Sequence, residues 1–408
     1  MLYSAASSKI LCSAPRRIYA HAKRGVKLSE LDTARTDVVG SLLRPPAWRE
    51  ARARLEAGTL DAAGFARIEE ALVRDAVRLQ ESVGLDVLSD GELSRLNFQD
   101  SFGLAVGGYE SAKETVSLHE KRIEGAQPNQ RWEIPDLHGA GTPVSHRRPV
   151  RERIHLVRNV PLEEYQRIQP FAKKPIKVAI IGPDRIGQRF DHQASRAVYA
   201  NVEAFMDDVV AIQRQMVQSL VDAGCRYIHI DEPGYTAYVD PLSLEAMRAR
   251  GEHPPANFTR SIKANAAITR GFPGVTFGIH LCRGNQRSMW HREGTYDEIA
   301  ERLFNELPHQ RFLLEYDSPR AGGFEPLRFV PKGKTVVLGL VSTKVSQLEA
   351  VDDLKRRIDQ AAKFLPLEQL AISPQCGFSS DVVGNLISAD DQKRKLERVV
   401  EVARQVWQ

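Results

Sequence analysis

Short apolar runs alternate with longer amphipathic segments along most of the chain. Eight runs lack the in-out alternation of a half-exposed strand, which indicates strands buried on both faces of a parallel sheet. They occupy residues 37–40, 85–89, 176–181, 227–230, 276–280, 312–315, 335–340 and 370–373. Apolar residues at helical spacing mark segments 65–82, 202–221, 296–307, 348–364 and 390–407.

Eight β/α alternations predict an α/β fold, a (β/α)8 TIM barrel that forms a single catalytic domain over residues 36–408. An open eight-stranded sheet is the alternative. No G-x-G-x-x-G sequence follows the first run to support it.

A long insertion, residues 104–170, separates the second and third runs. Its polar part, residues 125–153, has few regular patterns. Long irregular loops in compact domains usually form lids or binding loops, or are disordered. In a barrel this insertion would leave the carboxyl end of strand two, the face that carries active sites. We therefore expect a functional loop or lid rather than a passive insertion.

The N-terminal residues have a different composition from the rest. The first 27 carry six lysines and arginines and no acidic residue. This resembles a mitochondrial presequence, and a disordered start or an upstream start codon is the alternative. We expect residues 1–35 to form a basic tail outside the barrel.

Overall composition excludes several classes of protein. The chain has 408 residues, 42% of them hydrophobic and 27% charged, with a net charge of +5. No stretch approaches the roughly 18 apolar residues of a membrane helix, and no basic face suggests nucleic acid. The four cysteines are too few for a disulfide framework, so we expect reduced thiols and a cytoplasmic location.

Metal-ligating residues follow several predicted strands. His280 and Cys282 are two apart on an extended segment, so their side chains leave on one face. Imidazole and thiolate suit Zn²⁺, although H-x-C alone is more often a buried cysteine beside a core histidine. Cys376 and Glu315, at two other strand ends, add a thiolate and a carboxylate. A barrel can bring these four together, which makes a zinc site a testable hypothesis.

Other strand ends carry groups that suit an amino acid. A single acid such as Glu92 or Asp231 usually caps a helix or pairs with arginine. Two acids at one barrel mouth would instead hold an ammonium group, and the Ser41 hydroxyl and backbone N–H would hold a carboxylate. Cys225 precedes the fourth strand at the opposite end and Cys12 lies in the tail, so we expect both thiols to be inert.

In order and spacing, these motifs resemble the catalytic domain of cobalamin-independent methionine synthase and the shorter methionine synthase II-like proteins. The resemblance runs from about residue 38 to the C-terminus. It is carried by H-L-C at 280–282, F-L-L-E-Y-D at 312–317, G-L-V-S-T-K at 339–344 and S-P-Q-C-G-F at 373–378. I-D-E-P at 230–233, D-G-E at 90–92 and G-S at 40–41 support it.

The resemblance implies a TIM barrel and a specific chemistry. A methyl group would pass from a folate or a corrinoid to the thiol of homocysteine, giving methionine, as in 5-methyltetrahydropteroyltriglutamate–homocysteine methyltransferase. It implies zinc held by His280, Cys282, Glu315 and Cys376. It implies that homocysteine is bound by Ser41, Glu92 and Asp231.

Three features depart from the family pattern. The chain leaves no room for the second barrel of the full-length folate enzymes. Residues 182–187 lack the tryptophan that packs against folate, and S-T-K at 342–344 stands where a histidine is expected. The thiol chemistry is therefore better supported than a folate donor, and we expect a corrinoid or another activated methyl compound to be the better donor.

Three other functions compete. A zinc-dependent alkyltransferase for a sulfonate thiol such as coenzyme M should have arginine or lysine to bind the sulfonate, where this chain has Glu92 and Asp231. A lyase resembling uroporphyrinogen decarboxylase would leave the His, Cys and Glu set unexplained. A non-catalytic zinc-binding barrel, for instance a partner of a corrinoid protein, is the third.

Overall fold

The computed structural model describes residues 28–110, 128–131 and 148–407. Residues 1–27 of the predicted tail and much of the predicted insertion lie outside these ranges. The α-helices are α1 (Leu28–Asp32), α2 (Pro46–Glu56), α3 (Ala62–Val83), α4 (Asp100–Gly103), α5 (Val160–Ile168), α6 (Pro183–Gln188), α7 (Val202–Asp222), α8 (Pro241–Ala249), α9 (Pro254–Thr269), α10 (Asp297–Glu306), α11 (Val351–Ala361) and α12 (Ala389–Trp407). The strands are β1 (Val106–Tyr109), β2 (Val150–Leu156), β3 (Lys177–Ile181), β4 (Tyr227–Asp231), β5 (Thr276–Leu281), β6 (Arg311–Glu315), β7 (Thr335–Val341) and β8 (Leu370–Pro374).

Strands β3 to β8 form a parallel sheet in consecutive order. Every residue of β3, β4, β6 and β8 is buried, as the unbroken apolar runs predict for strands covered on both faces. The six strands agree with six of the predicted ones. With the two segments described next, they form the predicted (β/α)8 TIM barrel.

Two short segments close the barrel. Thr36 pairs in parallel with Ile372 of β8, and Leu88 pairs in parallel with Ile176 beside β3, each as an isolated bridge. The predicted strands 37–40 and 85–89 therefore stand in the right places, but the structure does not form regular strands there.

Side chains explain why these two segments are irregular. Asp86 Oδ2 accepts hydrogen bonds from the backbone N–H groups of Arg35 and Thr36, at 2.9 and 3.0 Å. Ser89 Oγ donates to the carbonyl oxygen of Gly40 at 2.9 Å. Between the first and second segments, side chains thus make hydrogen bonds that two paired strands would make through their backbones. The barrel therefore closes without continuous backbone pairing at this point.

The five predicted helices are confirmed as α3, α7, α10, α11 and α12, and their ends differ from the prediction by at most three residues. Helix α3 shows why its ends are sharp. Asp61 Oδ1 accepts from the N–H of Gly64 at 2.7 Å, a standard N-cap. Gly84 ends the helix with φ at +94°, a conformation that glycine adopts at low cost. None of the helices among the described residues is long and apolar enough to cross a bilayer.

The insertion and the end of the tail are more regular than expected. Strands β1 and β2 pair antiparallel, and α5 follows them, all within residues 104–170. Helix α1 lies in the predicted tail, yet Leu31 and Ala34 are buried and pack with Val87 and Tyr227. Residues 28–35 thus belong to the folded domain, because their apolar side chains cover the amino-terminal end of the barrel.

Inside the barrel, side chains form layers. At the amino-terminal end, Asp37 accepts hydrogen bonds from Lys177 Nζ and from the Tyr227 hydroxyl, both at 2.7 Å. Arg311 Nε lies 3.5 Å from the same carboxylate. Burial raises the pKa of Asp37, but the charges of Lys177 and Arg311 outweigh it and leave the pKa below its ordinary value. The apolar layer of Val39, Leu313, Val337 and Ala371 accompanies this charged layer.

The Asp37 layer gives a stability prediction. In Asp37→Asn, Lys177 and Arg311 lose their buried counter-charge, so the free energy of unfolding should fall by about 3–5 kcal/mol. Urea denaturation followed by circular dichroism measures it. The control, Glu70→Gln, breaks the exposed 2.8 Å pair with Arg74 and should cost less than about 1 kcal/mol. Equal small losses in both variants would show that the layer is not held by charge.

Candidate metal centre

A cavity lies at the carboxyl ends of the barrel strands. Six of the seven residues singled out in the sequence line it: Ser41, Glu92, Asp231, His280, Cys282 and Cys376. They come from five strand ends around the barrel, since His280 and Cys282 share the end of β5, as expected when strand ends meet at one face. The seventh, Glu315, ends β6 and is fully buried beside the cavity.

His280, Cys282 and Cys376 form a compact cluster. Their candidate ligand atoms all lie within 4.8 Å of one another, and all three side chains are buried. His280 Nδ1 lies 3.1 Å from the Leu313 carbonyl oxygen, so this nitrogen carries the proton. Its Nε2 is buried with no hydrogen-bond partner in the part of the chain that the structure describes. An orphaned imidazole nitrogen beside two thiols fits a borderline-soft metal ion such as Zn²⁺.

The two thiols are electrostatically coupled. Their mutual hydrogen bond sets the pKa of Cys282 well below, and that of Cys376 well above, the ordinary thiol value. The two side chains therefore titrate as a coupled pair, in which Cys282 loses its proton more readily and Cys376 retains its proton. A divalent cation at this position would replace that proton, since metal binding requires deprotonated ligands.

Glu315 is held by other groups. Its Oε2 accepts from the backbone N–H of Arg283 at 2.6 Å, and its Oε1 accepts from Arg320 Nη2 at 3.1 Å. Lys344 Nζ lies 3.8 Å from Oε1. The structure thus brings three of the four predicted ligands into one cluster and leaves the fourth in an ion pair next to it.

Glu92 has an unusual backbone conformation. Its φ is +52°, in the left-handed region, where residues with side chains are uncommon and often functional. Its N–H donates to Asp90 Oδ1 at 2.9 Å, and its carbonyl oxygen accepts from Arg44 Nη2 at 2.8 Å. Burial raises the pKa of Glu92 to about 8; Asp231 adds to this rise and Arg95 opposes it.

Asp231 behaves differently from Glu92. Burial raises its pKa, but His229 and His280 more than offset this, so the pKa lies below its ordinary value. His229 Nε2 is 3.2 Å from Asp231 Oδ1. At neutral pH Asp231 is therefore ionised while Glu92 keeps its proton. Arg95 Nη1 lies 3.5 Å from Glu92 Oε1, and a bound ammonium group beside the two acids would further favour the ionised form of Glu92.

Ser41 lies against the turn that follows β8. Its Oγ accepts from the N–H of Ser379 at 3.3 Å. A Cβ at position 377 would lie 2.0 Å from this Oγ, so Gly377 permits the close approach. Ser41 is in this way placed on the same side of the cavity as Cys376.

Several cavity residues were not anticipated from the sequence. Asn285, His291, Arg292 and Asp381 also line the cavity. For Asn285, His291 and Arg292 the sequence signal was the density of polar side chains in R-G-N-Q-R-S-M-W-H-R-E at 283–293, directly after Cys282. Loops of this kind lack the periodicity that indicates which side chains face inward.

Comparisons with known proteins give the following matches. A family model described as the catalytic domain of cobalamin-independent synthase matches residues 34–127 and 318–405. The uncharacterized protein YxjH of Bacillus subtilis (strain 168) is 33% identical, over 91% of this chain and 94% of its own. A methionine synthase of Pyrococcus abyssi is 24% identical, over 86% and 87%. The structure of a putative vitamin-B12 independent methionine synthase from Listeria monocytogenes superposes with a TM-score of 0.67 and 23% identity, over 91% and 97%, which shows a shared fold.

The cluster predicts metal binding. We expect about one zinc ion per purified chain, and we expect Cys376→Ser to lose most of it while remaining folded, because Cys376 lies in a turn after β8. Elemental analysis and circular dichroism measure both. Cys225→Ser is the control, since this buried thiol donates to the Tyr227 carbonyl oxygen outside the cluster. Full zinc content in Cys376→Ser would exclude the proposed site.

Proposed function

The chain belongs to the cobalamin-independent methionine synthase catalytic-domain family, and we propose that it transfers a methyl group to the sulfur of homocysteine to form methionine, with zinc bound by His280, Cys282 and Cys376. The observation that carries this proposal is the cluster of one orphaned imidazole nitrogen and two coupled thiols. It shares its cavity with the two acids suited to an ammonium group.

Thiol chemistry explains why a metal is needed. A free thiol has a pKa near 8.5, so little thiolate exists at neutral pH. Zinc at this position would lower the pKa of a bound thiol and so supply the nucleophile. We propose Glu315 as the exchangeable fourth ligand. Its carboxylate already has Arg320 as a partner, so it can give way to a substrate thiol without being left uncompensated.

The remaining side chains position the amino acid. Glu92 and Asp231 hold its ammonium group, and Ser41 holds its carboxylate. Arrival of a cation lowers the pKa of Glu92, so its proton is released as the ion pair forms. The ligating side chains that line the cavity are buried, which limits the contact of water with the sulfur that reacts.

An alkyltransferase for a sulfonate thiol is the second candidate. The observation in its favour is that Arg185 and Arg292 line the same cavity. Glu92 and Asp231 argue against it, because a thiol such as coenzyme M has no ammonium group to neutralise them.

Glu92 distinguishes these two candidates. In Glu92→Gln the charge-assisted hydrogen bond to the ammonium group is lost, which typically weakens binding about ten- to a hundredfold. We expect this loss for homocysteine and a much smaller one for mercaptoethanol, which has no amino group. Steady-state kinetics with each thiol measures it. Equal losses for both thiols would remove the proposed role of Glu92.

The methyl donor is tested separately. The ring of Phe190, after β3, stacks on Phe205 at 3.9 Å within the core and cannot face a pterin. Without an aromatic partner from this segment, we expect methyltetrahydrofolate triglutamate to be a poorer donor than methylcobalamin. Single-turnover methionine formation with zinc-loaded protein and saturating homocysteine compares them. A folate rate equal to or above the cobalamin rate would contradict this, and would point to Phe98, which lines the cavity.

A further inference from the structure

One wall of the cavity is basic. Arg185 comes from the first turn of α6 and Arg292 from the loop after β5, and both line the cavity together with His291. The exposed fractions of Arg185 and Arg292 are only 9% and 7%. Burial lowers the pKa of His291 far below its ordinary value, and the charges of Arg292, Arg185 and Arg189 lower it further. Two guanidinium groups and a neutral imidazole therefore share this wall, and the charge of Arg189 acts on it as well.

Arg292 contacts neutral groups within the protein. Its Nη1 donates to the Pro233 carbonyl oxygen and lies 3.4 Å from Thr236 Oγ1. Its Nε has no hydrogen-bond partner, and it makes no ion pair within the described ranges. A guanidinium buried without a counter-ion is costly unless a ligand supplies the charge.

The carboxylates near Arg292 do not serve as its counter-ion. Burial and the charge of Arg189 lower the pKa of Arg292 below its ordinary value. The negative charges of Cys282, Asp240 and Asp184 raise it, but not enough to offset this. Both acids already accept other hydrogen bonds. Asp240 already forms an ion pair with Arg131 at 3.1 Å, and Asp184 accepts from the Tyr238 hydroxyl at 3.0 Å.

We infer that Arg185 and Arg292 bind a carboxylate or phosphate group carried by the methyl donor. This inference rests on the proposed function, which requires a second substrate in the same cavity. Ser41, proposed for the amino-acid carboxylate, follows the first barrel segment, whereas Arg292 follows the fifth strand. In an eight-stranded barrel these positions lie on opposite sides of the mouth, so Arg292 faces the donor rather than the carboxylate of the amino acid, and Arg185, after β3, borders the same cavity.

A titration with inorganic phosphate tests the site directly. Isothermal calorimetry on metal-stripped protein should show binding that Arg292→Gln weakens about ten- to a hundredfold. Arg292→Lys keeps the charge but not the planar guanidinium group, so its phosphate affinity should lie between those of the wild type and Arg292→Gln. The control is Arg302→Gln, whose side chain pairs with Glu306 on α10 and which should match the wild type. Circular dichroism checks that each variant is folded.

Kinetics then assigns the anion to one substrate. With whichever of methylcobalamin and methyltetrahydrofolate triglutamate supports turnover, Arg292→Gln should raise KM for the donor about tenfold or more and leave KM for homocysteine within about twofold. Equal phosphate affinity in wild type and Arg292→Gln, phosphate binding only when zinc is present, or a KM change confined to homocysteine would each overturn the inference. If no donor gives methionine, the proposed function fails, while the phosphate titration still decides whether the arginine site exists.

Discussion

The two-residue periodicity of a closed barrel is the constraint on which the rest of the structure depends. In an extended strand alternate side chains share a face, so every second side chain of a barrel strand points inward, and alternate strands fill successive interior layers. On β6 these are Arg311, Leu313 and Glu315; the first belongs to the charged layer, the second to the apolar layer and the third to the carboxyl end. Chemistry at the cavity must therefore come from strand ends and from the turns that follow them.

Buried charged groups have different kinds of partners at the two ends of the barrel. At the amino-terminal end, Asp37 has cationic and hydroxyl partners on both oxygens, and the network is complete within the protein. At the other end, burial raises the pKa of Glu92 to about 8 although Arg95 Nη1 lies 3.5 Å from its Oε1, and its backbone is left-handed. Arg292 is buried against neutral partners. Incomplete networks of this kind lower stability, and they recur where a ligand completes them.

Sequence reasoning succeeded where periodicity decides the outcome. The apolar runs fixed where the strands end, and this placed His280, Cys282 and Cys376 at one face before any contact was known. It could not show that Asp86, about fifty residues along from Thr36, would replace a strand ladder with side-chain bonds. Nor could it identify Arg292, because its loop has no periodic pattern.

The partners of Glu315 could not be predicted from the sequence. Its strand end was predicted, but its partners depend on where Arg320 and Lys344 lie in three dimensions. A local pattern carries no information on such contacts. Helix α1 is a similar case, since the burial of Leu31 and Ala34 follows from the open end of the barrel and not from their own short segment.

Charge balance explains why the ion pair of Glu315 matters for the metal centre. Two thiolates and a neutral imidazole would balance one divalent cation, and a buried site tolerates a neutral set better than a charged one. If Glu315 joined that set, Arg320 would lose the carboxylate it contacts at 3.1 Å. Lys344 Nζ is fully buried and 3.8 Å from the same oxygen, and it would lose this carboxylate as well, whereas Arg320 would keep a second contact, with Asp317 at 3.2 Å. These two cations therefore raise the free energy of Glu315 as a ligand and favour a substrate thiolate in its place. The competition between the two anions is set by residues that need never contact the metal.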